Sequence, residues 1–394
     1  MSFEIARSGI NAINEQLAET SNNIANAGTY GFKGGRVNFA AVYGAEQPMG
    51  VQVGSRTQSI EVSGNVIPTG RAMDVAIQGR GFFVTRDSAG RELYTRVGIF
   101  DVNKDGVVVD SFGRKVQGYS MVPNSTVLGP MGDLVVPAGQ IAAQPSTRLD
   151  YVANLSADWT VPAGPFDKTD PTTFNASMVS VVYDSLGAKH SVTQYFVKTG
   201  PNAIDVRYTF DGVDLATVTS LTFGPDGQLT APLAPVAVFL GTPPGADPLT
   251  VNIDYEGTTQ FAGETTTTTN NADGYASGTL SGVQISNDGS IMAQYSNGQK
   301  MAVGRLAIAT FSHEGALESV SNTSWAATAE SGVALYSTAG VGQAGTLVAG
   351  ALEQSNVDMT AELVSLMTAQ RNYQANTKVI STVNEMSQSL MQAL

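Results

Sequence analysis

The chain has 394 residues, more than one compact core of ordinary size accommodates, so two or three domains are expected. A formal net charge of −13, without a run of Lys or Arg, opposes binding to nucleic acid or to anionic lipid, because both are polyanions. Cysteine is absent, which excludes disulfides, thiolate metal sites and a Cys nucleophile, while 42% hydrophobic residues, 42 glycines and 14% charged residues suit packed, turn-rich β structure.

The first element in chain order is a helix. Phe3, Ala6, Ile10, Ile13, Leu17, Ile24 and Ala27 recur at spacings of three and four, with Thr20 as the one polar break, which is the seam of a helix built to lie against another. No basic n-region followed by an apolar h-region is present, and no stretch reaches the roughly 18 apolar residues of a membrane span. A soluble chain is therefore expected, either cytoplasmic or exported by a route without a cleaved signal.

The texture then changes to short alternating runs broken by turn residues. Tyr94 to Phe100 and Val107 to Val109 flank Lys104-Asp105-Gly106, which reads as a hairpin turn, and similar breaks recur at Pro225-Asp226-Gly227 and Asn287-Asp288-Gly289. Many short antiparallel strands and few internal helices follow. Pro162 to Pro171 and the threonine run Thr265 to Thr269 read as loops, the second marking where the chain re-enters an earlier domain.

At the far end Met359, Leu363, Leu366, Tyr373, Ile380, Met391 and Leu394 restore the three-and-four spacing, interrupted by Gln370, Thr377, Asn384 and Ser387. Val379, Val383, Met386 and Leu390 widen the stripe, and Gly and Pro are absent from Val357 to Leu394. A helix on the order of thirty residues, about 45 Å long, is expected. Two terminal helices with more apolar surface than either can hide should pair with each other or with copies of themselves; an intramolecular hairpin capping a β protein fits the pattern equally well. The fold class is mainly β with terminal α-helices, the helical pair forming a coiled-coil-like core and the β-domains being discontinuous.

Three strings carry a resemblance. Ser21-Asn22-Asn23-Ile24-Ala25-Asn26 continues to Thr29 and Gly31-Phe32-Lys33. Gly81-Phe82-Phe83-Val84 is followed by Tyr94-Thr95-Arg96, Gly98, Phe100, Asp110, Gly113 and Gln117-Gly118-Tyr119. Glu353, Ser355-Asn356-Val357-Asp358, Glu362 and Ala369-Gln370-Arg371-Asn372-Tyr373-Gln374-Ala375-Asn376 complete the set. In this order they resemble the N-terminal signature, the inner β-domain motif and the C-terminal motif of the bacterial flagellar rod and hook protein family. The stretch from about Ser146 to Ala276 has the size of the additional domain that hook members carry. Ala153-Asn154-Leu155, Tyr183-Asp184-Ser185-Leu186-Gly187, Gly257-Thr258-Thr259-Gln260-Phe261 and Gln294-Tyr295-Ser296-Asn297-Gly298 are similar to hook sequences, so the hook type is implied, with a distal rod subunit as the alternative.

The resemblance implies a helical core from residues 1–30 and 359–394, a connector at 31–70, an inner β-domain at 71–146 and 276–358, and an outer β-domain at 147–275. It implies terminal segments that order on polymerisation. The product would be a homopolymer of many copies, a hollow, curved, flexible tube outside the cell that acts as a universal joint between rod and filament. Distal rod, hook cap and hook–filament junction proteins would be its neighbours, and the flagellar type III export apparatus its exit route. No catalysis, cofactor, nucleic acid or direct membrane binding is implied. Assembly would fall to Ile10, Ile13, Leu17, Ile24, Leu363, Leu366, Tyr373, Ile380 and Leu390, and the glycines of the connector, Gly34 and Gly35 first among them, would let neighbouring subunits slide.

Other chemistry finds little footing. Asp101-Val102-Asn103-Lys104-Asp105-Gly106 matches the opening half of a calcium loop, but Phe112 stands where the bidentate glutamate belongs. Gly340-Val341-Gly342-Gln343-Ala344-Gly345 spells a dinucleotide fingerprint without a βαβ unit around it. His190 and His313 lack a second ligand at a useful spacing, Gly-x-Ser-x-Gly is absent, and Trp159 and Trp325 read as packed aromatics. A secreted carbohydrate-active β protein is the remote alternative; it needs two carboxylates roughly 5 to 9.5 Å apart, and Asp150 and Asp158 are the sort of residues to test.

Overall fold

Helix α1 spans Ser2–Ala25 and helix α2 spans Met359–Ala393, at the two ends of a chain that is otherwise mainly β. The computed structural model describes residues 2–44, 47–121, 127–137 and 139–393. The helices lie antiparallel. Asn23 Nδ2 donates to Glu362 Oε1 at 3.0 Å, and a Cβ on Gly9 would stand 3.2 Å from Asn376. That register brings Ser2 level with the region of Val383, so about two or three turns of α2 run past the start of α1. Asp358 starts α2 as its N-cap, Oδ1 accepting from Thr360 N–H at 2.8 Å and Ala361 N–H at 3.2 Å.

The chain divides into two compact units, the first comprising Met1–Ala138, Ser281–Gln294 and Lys300–Leu394, the second Gly139–Leu280 and Tyr295–Gln299. In the first unit a sheet runs through Lys300–Leu306, Lys115–Met121, Phe82–Arg86, Glu92–Thr95, Ser324–Ala326 and Glu318–Val320. Phe82, Val84, Tyr94, Ala309, Phe311 and Trp325 form its core, with Tyr94 edge-on to Phe311 at 4.7 Å. Gly81 is required there: its φ is +114°, and a Cβ would lie 2.4 Å from Ile308. Two short pairings lead the chain back towards α2, Thr346–Ala349 with Val75–Gln78 and Ala351–Glu353 with Val66–Pro68.

Residues 31–70, expected to change direction without a core of their own, hold a long antiparallel hairpin, Gly35–Gly44 with Gln47–Gln58. It lies along α1, where Val51 N–H donates to Ser8 Oγ at 3.1 Å and Arg56 pairs with Glu15. The helix supplies the packing face that the segment lacks.

The second unit is a two-sheet sandwich. Val236–Gly241, Leu249–Asp254, Arg148–Asn154 and Thr266–Ala272 form one sheet, and Ala176–Tyr183, Lys189–Gly200, Ala203–Phe210, Val213–Phe223 and Leu229–Ala231 the other. Tyr151, Val192, Phe196, Val206, Leu221, Val251 and Ile253 fill the space between them. Inside, Tyr208 Oη lies 2.9 Å from Tyr255 Oη, which donates to Gln194 Oε1 at 2.6 Å. The threonine run Thr265 to Thr269 is corrected here. Most of it belongs to the strand Thr266–Ala272, with Thr269 opposite Val152 and Thr267 opposite Ala153. Branching at Cβ makes threonine a strand former, a preference that outweighs the loop-like look of a polar repeat.

Candidate assembly site at the helix-pair root

The three motif strings meet at one place in the first unit. Asn23 reaches from α1 to the hairpin, Nδ2 donating to Gly35 O at 2.8 Å and Oδ1 accepting Gly35 N–H at 2.9 Å, while the same Nδ2 reaches Glu362 on α2. Asn356 does the same from the other strand of the root. Its Oδ1 accepts Gly34 N–H at 2.8 Å, and its Nδ2 donates to Ser59 O at 2.8 Å and Val62 O at 2.9 Å. Gly31 N–H donates to Glu353 O at 2.8 Å, and Asn356 N–H to Phe32 O at 3.4 Å. Gly34 and Gly35 are thus each held by an asparagine side chain.

Beneath these contacts sits a charge cluster shut off from water. Lys33 Nζ lies 2.6 Å from Glu353 Oε1, and Arg96 Nη1 lies 3.4 Å from Glu353 Oε2. Burial pulls both cations below their ordinary pKa values, with the Glu353 carboxylate opposing the shift in each case.

The other motif residues have local duties. Asn26 Nδ2 donates back to Asn22 O and Oδ1, both at 3.0 Å, closing the end of α1. Ser355 Oγ accepts Val357 N–H at 3.2 Å, and Asp358 is the N-cap of α2. Ser21 is exposed on α1, and Gln370 and Arg371 are exposed on α2.

Along the helices the expected seam is only partly closed. Ala6, Ala12, Ile13, Thr20 and Ala369 are buried, while Ile10, Leu17, Ile24, Leu366 and Ile380 are half-buried. Leu363 and Tyr373 are exposed, Leu363 at 46%, in company with Met359, Val364, Met367, Val379, Met386 and Met391. The Leu390 side chain and Leu394 lie outside the described residues. A groove of about 220 Å³ on the pair is lined by Asn14 and Leu17 of α1 and Gln370, Tyr373 and Gln374 of α2.

Elsewhere the side chains are engaged in local structure. Asn103 Oδ1 accepts from Asp105 N–H at 3.0 Å and Val107 N–H at 2.9 Å, closing the hairpin turn inside the half calcium loop. Among the described residues no group of three or more His, Cys, Asp or Glu could hold a metal ion, and no helix is long and apolar enough to cross a membrane. Gly340 N–H donates to Gly345 O at 2.9 Å, so the glycine fingerprint closes a turn. His190 stands between Asp211 at 2.6 Å and Asp184 at 3.2 Å, and His313 precedes the short 3-10 turn Glu314–Ala316. Trp325 is buried with its Nε1 donating to Gln58 at 2.9 Å, and Trp159 packs on the core of the second unit. Asp150 pairs with Arg148, and Asp158 accepts Gly263 N–H at 2.9 Å. A groove of about 900 Å³ is bordered by Arg91, Glu92, Phe112 and Arg114 and mixes both signs of charge.

Sequence reasoning missed how Lys33, Arg96 and Glu353 act on one another, although each stands in a motif string. A signal was there: Glu353 is a lone charge following Ala351 and Leu352 in a strand with no polar alternation.

Two chain ends joined in a helix pair with a bare apolar flank, tied by one polar root to a β layer, define a self-associating structural subunit. Residues 76–146 match the family model "Flagellar hook protein FlgE/F/G D1 domain", residues 154–275 "Flagellar basal body protein FlaE D2 domain", and residues 348–393 "Flagellar basal body rod FlgEFG protein C-terminal". The flagellar hook protein FlgE of Salmonella typhimurium is 37% identical over 403 residues, covering 99% of each chain, and that of Brucella suis is 32% identical over 395 residues, covering 98% of this chain and 96% of its own. The chain belongs to the flagellar hook protein FlgE family. The crystal structure of Helicobacter pylori flagellar hook protein FlgE2 shares the fold at a TM-score of 0.53 and 13% identity, over 71% of this chain and 98% of that one.

Proposed function

We propose that this chain is the hook subunit of a bacterial flagellum, a structural protein without catalytic activity. Copies pack through their terminal helix pairs into a hollow, curved, flexible tube outside the cell that carries torque from rod to filament. The observation that carries this reading is the bare flank of α2 in a chain of the hook family. Met359, Leu363, Val364, Met367, Val379 and Met386 stay exposed on a helix already paired within its own chain. Such a surface is covered by further copies in an open helical array.

The finer assignments follow from the same reading. Ile10, Ile13, Leu17, Ile24, Leu363, Leu366, Tyr373, Ile380 and Leu390 carry assembly. Residues 1–30 with 359–394 act as the core, 31–70 as connector, 71–146 with 276–358 as the inner β-domain and 147–275 as the outer one. Gly34 and Gly35 form the joint, held by Asn356 and Asn23 at rest and released as subunits slide. Proline at either position removes the donated N–H and fixes φ, so isolated hooks should straighten or stiffen. Distal rod, hook cap and hook–filament junction proteins are the neighbours, and the type III export apparatus passes the chain outward with its N-terminal region uncleaved. A distal rod subunit is the second reading; the sandwich of the second unit, matched to the D2 domain, favours the hook.

Electron microscopy of the purified full-length chain at high concentration tests the proposal. Hollow curved tubes are expected. Straight rigid tubes would favour the rod reading, and monomers at every concentration would refute both.

A further inference from the structure

In the buried charge cluster one carboxylate serves two cations that arrive from different parts of the chain. Lys33 follows α1, Glu353 ends the strand that leads into α2, and Arg96 belongs to the β layer. Their side chains are 0%, 0% and 1% exposed. Glu353 Oε1 accepts from Lys33 Nζ at 2.6 Å and from Gly64 N–H at 2.9 Å, while Oε2 faces Arg96 at 3.4 Å. Lys33 also donates to Val62 O at 2.7 Å, Arg96 Nη2 donates to Gly79 O at 2.8 Å, and the Arg96 guanidinium stands 5.3 Å over the Phe82 ring. Glu314, paired with Arg80 at 3.0 Å, adds a weaker negative field on both cations.

The three charges are not interchangeable. When Glu353 meets Arg96 without Lys33, the buried pair is neutral. When Lys33 meets Arg96 without Glu353, two like charges confront each other out of water, the costliest arrangement available. Apolar side chains of the same volume would hold the chain ends together without this asymmetry. The backbone contacts of the root run both ways, Gly31 N–H donating to Glu353 O and Asn356 N–H to Phe32 O, so the asymmetry lies in the charges.

We infer that Glu353 is the positioning residue of the helix-pair root. Its strand seats first against Val66–Pro68, and only then does the Lys33 segment dock, so the C-terminal end of the chain is placed before the N-terminal end. The inference rests on the reading of assembly through the helix pair, because seating both ends is what presents that pair to a neighbour.

The test uses the full-length chain as Lys33→Met, Glu353→Gln and the double variant, followed by hydrogen exchange with mass spectrometry and by pelleting of tubes. Lys33→Met should loosen residues 31–37 and leave 66–68 and 351–353 protected. Glu353→Gln should expose both segments and raise the concentration needed for tubes about tenfold or more. Adding Lys33→Met to Glu353→Gln should lower that concentration again, by removing the stranded cation. Equal exposure of 351–353 in the two single variants, or a double variant worse than Glu353→Gln, overturns the inference. Should Glu353→Gln not fold, Lys33→Met decides alone, since lost protection at 351–353 contradicts the order. Wild-type protein that forms no tubes would sink the assembly reading instead, and the exchange asymmetry would still report on Glu353.

Discussion

The second unit and the helix pair bury their apolar residues in opposite ways. In the sandwich both sheets turn a full face inward, Tyr151 and Val251 meeting Phe196 and Leu221, and the polar groups among them are satisfied through Tyr208, Tyr255 and Gln194. In its strands the exposed Val179, Val181 and Phe239 alternate with inward-facing residues, as strands with one wet face do. The helix pair buries little more than Ala6, Ala12, Ile13 and Ala369, and leaves large side chains bare along α2. Each of those is about half exposed and would gain about 1 kcal/mol, half the value for full burial, if a neighbour covered it. On the proposed reading the sandwich is complete as a monomer, and neighbouring copies complete the pair.

The largest effect should come from the pair. Leu17→Asp or Leu366→Asp places a charge at the half-buried seam. Either should abolish tubes in pelleting assays while the β units keep their far-UV signal; normal tubes would break the comparison. Next, Phe196→Ala in the sandwich should cost about 3–5 kcal/mol in denaturant unfolding, with the concentration for assembly nearly unchanged as long as the unit stays folded. A shift of assembly in proportion to the lost stability would show the two regions to be coupled. Asp358→Ala removes the cap of α2 and should cost about 1 kcal/mol, seen as a raised assembly concentration and faster amide exchange in its first turn.

The smallest effect is a dependence on pH in the second unit. Burial alone would lower the pKa of His190, but its hydrogen bonds to Asp211 and Asp184 outweigh burial and raise it above the ordinary 6.5. Burial would raise both aspartates, yet backbone N–H donors and His190 hold them below 3.8. The histidine's contribution is therefore complete below pH 6.5 and fades as pH rises through its higher folded value. The aspartates' contribution is present above 3.8 and is lost as pH falls through their lower folded values. His190→Gln should flatten the stability profile of this unit across neutral pH while leaving tube formation alone.

The sequence made the helices legible because two long stripes at spacings of three and four leave no other reading. The hairpin turn at Lys104-Asp105-Gly106 was legible for a similar local reason. What lay hidden depends on distant partners. The hairpin Gly35–Gly44 with Gln47–Gln58 is held by α1, and its many glycines suggest a structureless connector until that helix is placed beside it. The threonine strand owes its place to the Arg148–Asn154 strand, more than a hundred residues earlier. At the root, the motif strings could be seen in the sequence but not their meeting. Nothing local says that Asn23 and Asn356 hold adjacent glycines or that one carboxylate answers Lys33 and Arg96. Exposure of Leu363, set in line with half-buried Leu366, likewise follows from where α1 lies and not from the stripe itself.

On the proposed reading, assembly is driven by the bare flank of α2 and not by apolar surface in general. The direct measurement compares two double variants of the full-length chain by pelleting and electron microscopy. One is Leu363→Asp with Met367→Asp on α2; the other is Val179→Asp with Val181→Asp on the sandwich, all four sites being about half exposed. Folded monomers are expected from the first and tubes from the second. Tubes from the α2 variant would contradict that reading.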